Sequence, residues 1–131
     1  MLDQAPSARR NDKYPNLRGK RILIIEDEAV VAVDYYFQLR HVGALPQAYE
    51  PTSQAALEYL ATHEVDAAIV DYRLRDGPCR TVLEMLQSRG IPFIVVSGCT
   101  HEMRESAGTS QVLSKPVAPD EVCRALSEVL H

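Results

Sequence analysis

Three short apolar runs, each closed by an acidic or hydroxyl residue, constrain this chain more than any other feature. Residues 22–25 (ILII) run into Glu26, Asp27 and Glu28, residues 67–70 (AAIV) into Asp71, and residues 93–96 (FIVV) into Ser97 and Gly98. A continuous apolar run of this length suits a strand buried on both faces, as in a parallel sheet. Between the runs the period turns helical. Val30, Val33 and Phe37 recur at helical spacing, with Gly43 placed as a C-cap glycine. Ser53, Ala56, Leu57 and Leu60 follow Thr52, a candidate N-cap, and Val82, Met85 and Leu86 mark a third helix.

Two weaker strands complete the alternation. Residues 45–48 hold Pro46, which cannot donate to a ladder and so predicts an edge strand. A brief strand at 112–113 leads into Ser114, Lys115 and Pro116, and Val122, Ala125, Leu126 and Val129 mark a last helix with Pro119 near its first turn. Strand and helix alternating in this way predict an α/β domain, a parallel sheet with helices on both faces and right-handed crossovers. Ligands of such sheets bind at the carboxyl ends of the strands, where Glu26, Asp27, Asp71, Ser97 and Lys115 all fall.

The 131 residues fit one domain, and no second effector domain is expected. Residues 1–20 carry a charge of +3 with few large apolar side chains, which reads as a flexible basic tail, and residues 21–131 form the folded domain at −7. An acidic body speaks against direct nucleic-acid binding, which needs a basic face for phosphate. Cys79, Cys99 and Cys123 are odd in number and lack C-x-x-C spacing, and no signal-peptide or membrane-length apolar run occurs, so a cytoplasmic protein with reduced thiols is expected.

The strand-end residues carry a specific chemistry. Carboxylates crowded at neighbouring strand ends repel unless protons or a cation compensate, and Mg2+ is commonly held by one or two carboxylates together with phosphate. A carboxylate can also attack phosphorus to form an acyl phosphate when metal and cationic donors neutralise the charge on the phosphoryl oxygens. Asp71 is then the candidate nucleophile, Lys115 a cation approaching from another strand end, and Ser97 a hydroxyl donor beside a small Gly98 that leaves the approach open. Taken singly, each residue reads as a solvated strand end, a turn or a surface lysine. Converging on one sheet edge, they read as a site.

At these residues the chain resembles the receiver domains of bacterial two-component response regulators. The marks are Glu26-Asp27 in ILIIEDE, Asp71 in AAIVDYRLRDG, Ser97-Gly98 in FIVVSG and Lys115-Pro116 in LSKP, and the likeness covers about residues 20 to 130. The resemblance implies a flavodoxin-like three-layer sandwich with strand order 2-1-3-4-5. It implies phosphorylation of Asp71 by a histidine kinase or phosphotransfer protein. It further implies Mg2+ held by Asp27, Asp71 and the backbone carbonyl of Arg73, with Glu26 acting through water, and phosphoryl binding by Ser97 and Lys115. A stand-alone phosphorelay switch of this type is not an enzyme acting on an external substrate; its output is protein contact, and a homodimer stays open.

Two departures stand out. Val112 occupies the place, three residues before Lys115, where the family usually has an aromatic switch residue. Residues 99–111 offer only Met103 and Ala107 as an apolar stripe, so the fourth helix is expected to be short or irregular. Cys99, two residues beyond Ser97, could tune water access to the phosphoryl group. Two rival readings remain. A haloacid-dehalogenase-like phosphatase needs Asp-x-Asp after the first strand, where this chain has Glu26-Asp27-Glu28. A phosphorylation-independent docking module needs none of the acceptor residues, yet all are present.

Overall fold

A computed structural model describes residues 13–98, 111–118 and 120–130. Five strands, β1 (Arg21–Ile25), β2 (Leu45–Glu50), β3 (Ala67–Asp71), β4 (Phe93–Ser97) and β5 (Gln111–Ser114), form one parallel sheet of order β2-β1-β3-β4-β5. This is the order implied by the resemblance. Four α-helices are described, α1 (Ala29–His41), α2 (Ser53–Thr62), α3 (Arg80–Ser88) and α4 (Glu121–Val129), with a short 3-10 turn at Pro15–Leu17 ahead of β1. The segment expected to hold a short or irregular helix, together with Cys99 and Pro119, lies outside the described residues.

Strand periodicity divides the core in two. Ile22, Ile24, Ile69, Ile94 and Val96 face α1 and α4. Leu23, Ile25, Val70, Phe93 and Val95 face α2 and α3. Successive side chains point to opposite faces, so a strand covered on both sides must be apolar at every position. The expected edge strand is at the edge, with Pro46 opposite Ile22 and a register shift just after that pair.

The helix ends follow their capping residues. Thr52 Oγ1 accepts from the Ala55 amide at 3.0 Å, satisfying one of the donors a helix start leaves over. Beyond α1, Gly43 takes a positive φ of 87°, the left-handed conformation that favours glycine. Residues 73–78 form a minimal antiparallel ribbon of Arg73–Leu74 with Gly77–Pro78.

Two expectations need correction. The tail expected over residues 1–20 is, from Lys13 to Lys20, part of the folded body. Leu17 is fully buried and Tyr14 nearly so, both in the core under α1 and α4. Asn16 donates to the carbonyls of Ser127 and Leu130, both at 2.8 Å, at the open end of α4. Tyr14 Oη donates to Asp120 at 2.6 Å. One leucine and two polar clamps anchor a segment whose composition suggested none. Residues 1–12 lie outside the described residues.

The second correction concerns α1. Its buried residues are Ala32, Tyr35 and Leu39, whereas Val30, Val33 and Phe37, the positions expected to face the core, are 83%, 48% and 65% exposed. The helix is apolar around most of its circumference, so periodicity admits two inward faces, and packing against the sheet selects the one bearing the small Ala32.

Candidate functional site

The carboxyl ends of β1, β3, β4 and β5 meet at one edge of the sheet, and each contributes a polar group. Register places them: Asp71 lies opposite Val96 on β4, and Ser97 opposite Ser114 on β5, one residue before Lys115. The Lys115 amide donates to the Ser97 carbonyl at 2.9 Å, tying the hydroxyl-bearing and lysine-bearing segments together. The Lys115–Pro116 peptide is cis.

Asp71 is the centre. It is buried, and Lys115 Nζ sits 3.3 Å from each of its carboxylate oxygens. One oxygen from each of Glu26, Asp27 and Asp71 lies within 4.8 Å of the other two, so the three strand-end carboxylates do share a site. Glu26 is fully buried, with Oε2 accepting from the Glu28 amide at 3.1 Å. Its other oxygen, Oε1, is buried with no hydrogen-bond partner among the described residues.

Electrostatics at the site follow from burial. Glu26 is pushed up to about 8, first by desolvation and then by the neighbouring Asp71. Burial likewise raises Asp71, against the opposing pull of Lys115. Burial works to lower Lys115, but Asp71 and Glu26 outweigh it and keep the ammonium charged. One lysine thus faces three carboxylates, and the negative excess together with an orphaned carboxylate oxygen fits a hard divalent cation.

The remaining predicted residues fall at the rim. Ser97 is buried at the end of β4, while Gly98 is exposed and a Cβ there would meet open space, so the approach is open without requiring glycine. Arg73 opens the ribbon beyond Asp71, exposed, with its guanidinium 5.5 Å from the Tyr72 ring centre. Val112 is half-buried against the core on the α2 and α3 side.

Three contributors escaped the sequence reading. Arg75 donates to the backbone carbonyl of Asp27 at 3.3 Å, reaching across the site from the ribbon. Asp76 accepts from the Ser53 and Gln54 amides at 2.9 and 3.1 Å, fastening the loop after β3 to the start of α2. Tyr35 is buried in the core under α1, and its phenol is pushed up, by burial first and then by Glu26 and Asp71. It lines a cavity of about 580 Å³ between Val30 and Val31 on α1 and the Lys115-Pro116-Val117 turn. The usable sequence signal was that α1 begins directly after the acidic turn, which places its early residues beside the site.

Comparison with known proteins gives a consistent picture. No family model matches the chain. A curated relative, the transcriptional regulatory protein PdtaR of Mycobacterium tuberculosis, is 28% identical over 113 residues, covering 82% of this chain. The chain spans about half (55%) of that relative's length. Among solved structures, SdrG from Sphingomonas melonis Fr1 is 33% identical, covering 86% of this chain and 98% of SdrG, with a TM-score of 0.74. A response regulator receiver protein from Sinorhizobium medicae is 26% identical, covering 87% of this chain and 96% of that one, with a TM-score of 0.77.

Proposed function

The chain belongs to the response regulator receiver domains, and from that premise we propose that it is a phosphorylation-dependent signalling switch in which Asp71 is the acceptor. The observation that carries the proposal is the position of Lys115 Nζ against both oxygens of a buried Asp71 that shares its site with Glu26 and Asp27. Such a carboxylate is desolvated enough to be a nucleophile and is held by a cation that can pass to a phosphoryl oxygen.

The phosphodonor is a histidine kinase or phosphotransfer protein. An Asp71 oxygen attacks phosphorus, the O–P bond forms, the N–P bond to the donor imidazole breaks, and the imidazole leaves with the bonding electron pair. Lys115 follows the charge from the carboxylate to the new phosphoryl oxygens, and Ser97 Oγ donates to one of them. Asp27, Asp71 and the Arg73 carbonyl would hold Mg2+, with Glu26 acting through water, and the ion would supply the further positive charge that phosphoryl transfer requires. The fit rests on the orphaned Glu26 Oε1 and the carboxylate cluster.

Output is a change in protein contacts. Ser97 and Lys115 are joined through the backbone, so drawing both onto a phosphoryl group moves the ends of β4 and β5 as one unit. With Val112 in place of an aromatic, the relay runs through these strand ends. No turnover of an external substrate is part of this reading. No described helix is long and apolar enough to cross a membrane, and a cytoplasmic location belongs to the same proposal. The test is incubation with acetyl phosphate and Mg2+, followed by intact mass. One phosphoryl group is expected on the wild type and none on Asp71→Asn; equal labelling of both would overturn the assignment.

A further inference from the structure

Phosphoryl transfer as set out above leaves Arg75 without a task, although the fold holds it over the site. Arg75 stands at the tip of the short ribbon that follows β3. Three hydrogen bonds fix that ribbon. Asp76, the next residue, accepts from the Ser53 and Gln54 amides at 2.9 and 3.1 Å, and where the ribbon returns, the Cys79 amide donates to the Tyr72 carbonyl at 2.9 Å. The two amides also hold the Asp76 carboxyl below the usual aspartate range, so the anchor stays charged at neutral pH. From this fixed base the exposed Arg75 side chain crosses to the end of β1 and donates to the Asp27 carbonyl at 3.3 Å. The carboxylate of the same Asp27 lies within 4.8 Å of Asp71 and Glu26.

On the reading that Asp71 is the acceptor, we propose that Arg75 is a further phosphoryl-binding residue. When Asp71 carries a phosphoryl group, the guanidinium leaves the Asp27 carbonyl and donates to the phosphoryl oxygens. The sheet order sets the two cations on opposite sides of the acceptor: Arg75 comes from the β1 side of β3, and Lys115 reaches in from β5.

Charge balance asks for such a group. With Glu26, Asp27 and Asp71 all ionised, Lys115 and a bound divalent cation compensate them in full. Converting the Asp71 carboxylate into an acyl phosphate replaces one negative charge by about two, and an uncompensated charge is costly beside a buried residue. Arg75 supplies the missing positive charge.

The present contacts of Arg75 also favour the exchange. Among the described residues it makes no ion pair, so no carboxylate is given up when it moves. Its bond to Asp27 is long and ends on a neutral carbonyl, whereas a guanidinium bond to a phosphoryl oxygen joins two charged groups and is shorter and stronger. The planar fork of an arginine matches two oxygens of one phosphoryl group. Arg73 is placed differently, its guanidinium standing 5.5 Å from the Tyr72 ring centre.

Beryllofluoride, which takes the place of a phosphoryl group on an aspartate, tests this without turnover. The full chain is titrated with beryllofluoride in saturating Mg2+, followed by fluorine NMR, and separately with Mg2+ alone, followed by calorimetry. Arg75 is exposed and makes one long bond, so its substitution leaves the fold intact, which circular dichroism checks. Arg75→Ala is expected to weaken beryllofluoride binding about tenfold, the loss of one hydrogen bond between charged groups, while Mg2+ affinity holds or rises slightly because a nearby cation is gone. Arg75→Lys, which keeps the charge and loses the fork, falls between. Equal beryllofluoride affinity in the wild type and Arg75→Ala overturns the proposal. So does an equal loss of Mg2+ and beryllofluoride affinity, which reduces Arg75 to a positioning residue for Asp27. A wild type that binds Mg2+ but no beryllofluoride overturns the assignment of Asp71 as acceptor, and the role of Arg75 falls with it.

Discussion

Lys115 Nζ stands 3.3 Å from both carboxylate oxygens of Asp71, a symmetric contact that aims one cation at the middle of one buried anion. Asp71 is almost wholly buried while the lysine side chain is about a third exposed (31%). The lysine is therefore the more mobile partner, and it is the one that must move when a phosphoryl group adds to the carboxylate.

Removing that lysine leaves the strand-end carboxylates facing one another. Lys115→Ala is expected to destabilise the metal-free protein at pH 7 by about 1 to 2 kcal/mol, discounted from the larger cost of breaking a fully buried pair because the lysine is partly exposed. Phosphoryl uptake from acetyl phosphate should fall as well. Urea denaturation and mass spectrometry read the two effects, and an unchanged midpoint together with unchanged uptake would contradict the role of Lys115.

Glu26 makes the metal-free protein pH-sensitive. Its folded pKa of about 8 lies above the ordinary glutamate value, so the fold favours the protonated form. The resulting stabilisation is full below the unfolded pKa and is lost as pH rises through about 8. Metal-free stability should therefore decline between about pH 5 and pH 8, and Glu26→Gln should flatten the decline. Mg2+ binding near pH 7 should release protons, measurable as a dependence of calorimetric heat on the ionisation enthalpy of the buffer. Heats independent of buffer would show that Glu26 is already ionised.

Leu17 belongs to the core. Leu17→Ala is expected to cost about 2 to 4 kcal/mol, as a buried leucine does, and a change within about 0.5 kcal/mol, typical of a surface position, would show that the segment before β1 is not packed in solution.

The buried thiols should be inert. Burial pushes Cys79 up to about 12 and Cys123 up to about 11. Alkylation of the native protein at pH 8 followed by peptide mapping should leave both unmodified, and alkylation in denaturant should modify both. Rapid native labelling of Cys79 would mean that the start of α3 opens beside the site.

The sheet and most of the site were legible because their signals are local. A strand covered on both faces must be apolar throughout, so residues 22–25, 67–70 and 93–96 could hardly be anything else, and the polar residue ending each run marks the ligand-binding edge. What was not legible depends on choices made in three dimensions. The face that α1 buries could not be read from spacing, since Tyr35 and Leu39 serve as well as Val33 and Phe37, and only the sheet decides. Leu17 is one leucine among polar neighbours, and its partners lie about a hundred residues away in α4. Arg75 and Asp76 act through backbone groups of Asp27, Ser53 and Gln54, contacts that leave no pattern in sequence.

Borohydride trapping of the phosphorylated chain tests the central claim most directly. An acyl phosphate on an aspartate is reduced to homoserine, so peptide sequencing after treatment with acetyl phosphate, Mg2+ and borohydride should find homoserine at position 71, and only when Mg2+ is present. Homoserine at another aspartate, or phosphate held on a histidine or serine with position 71 unchanged, would contradict it.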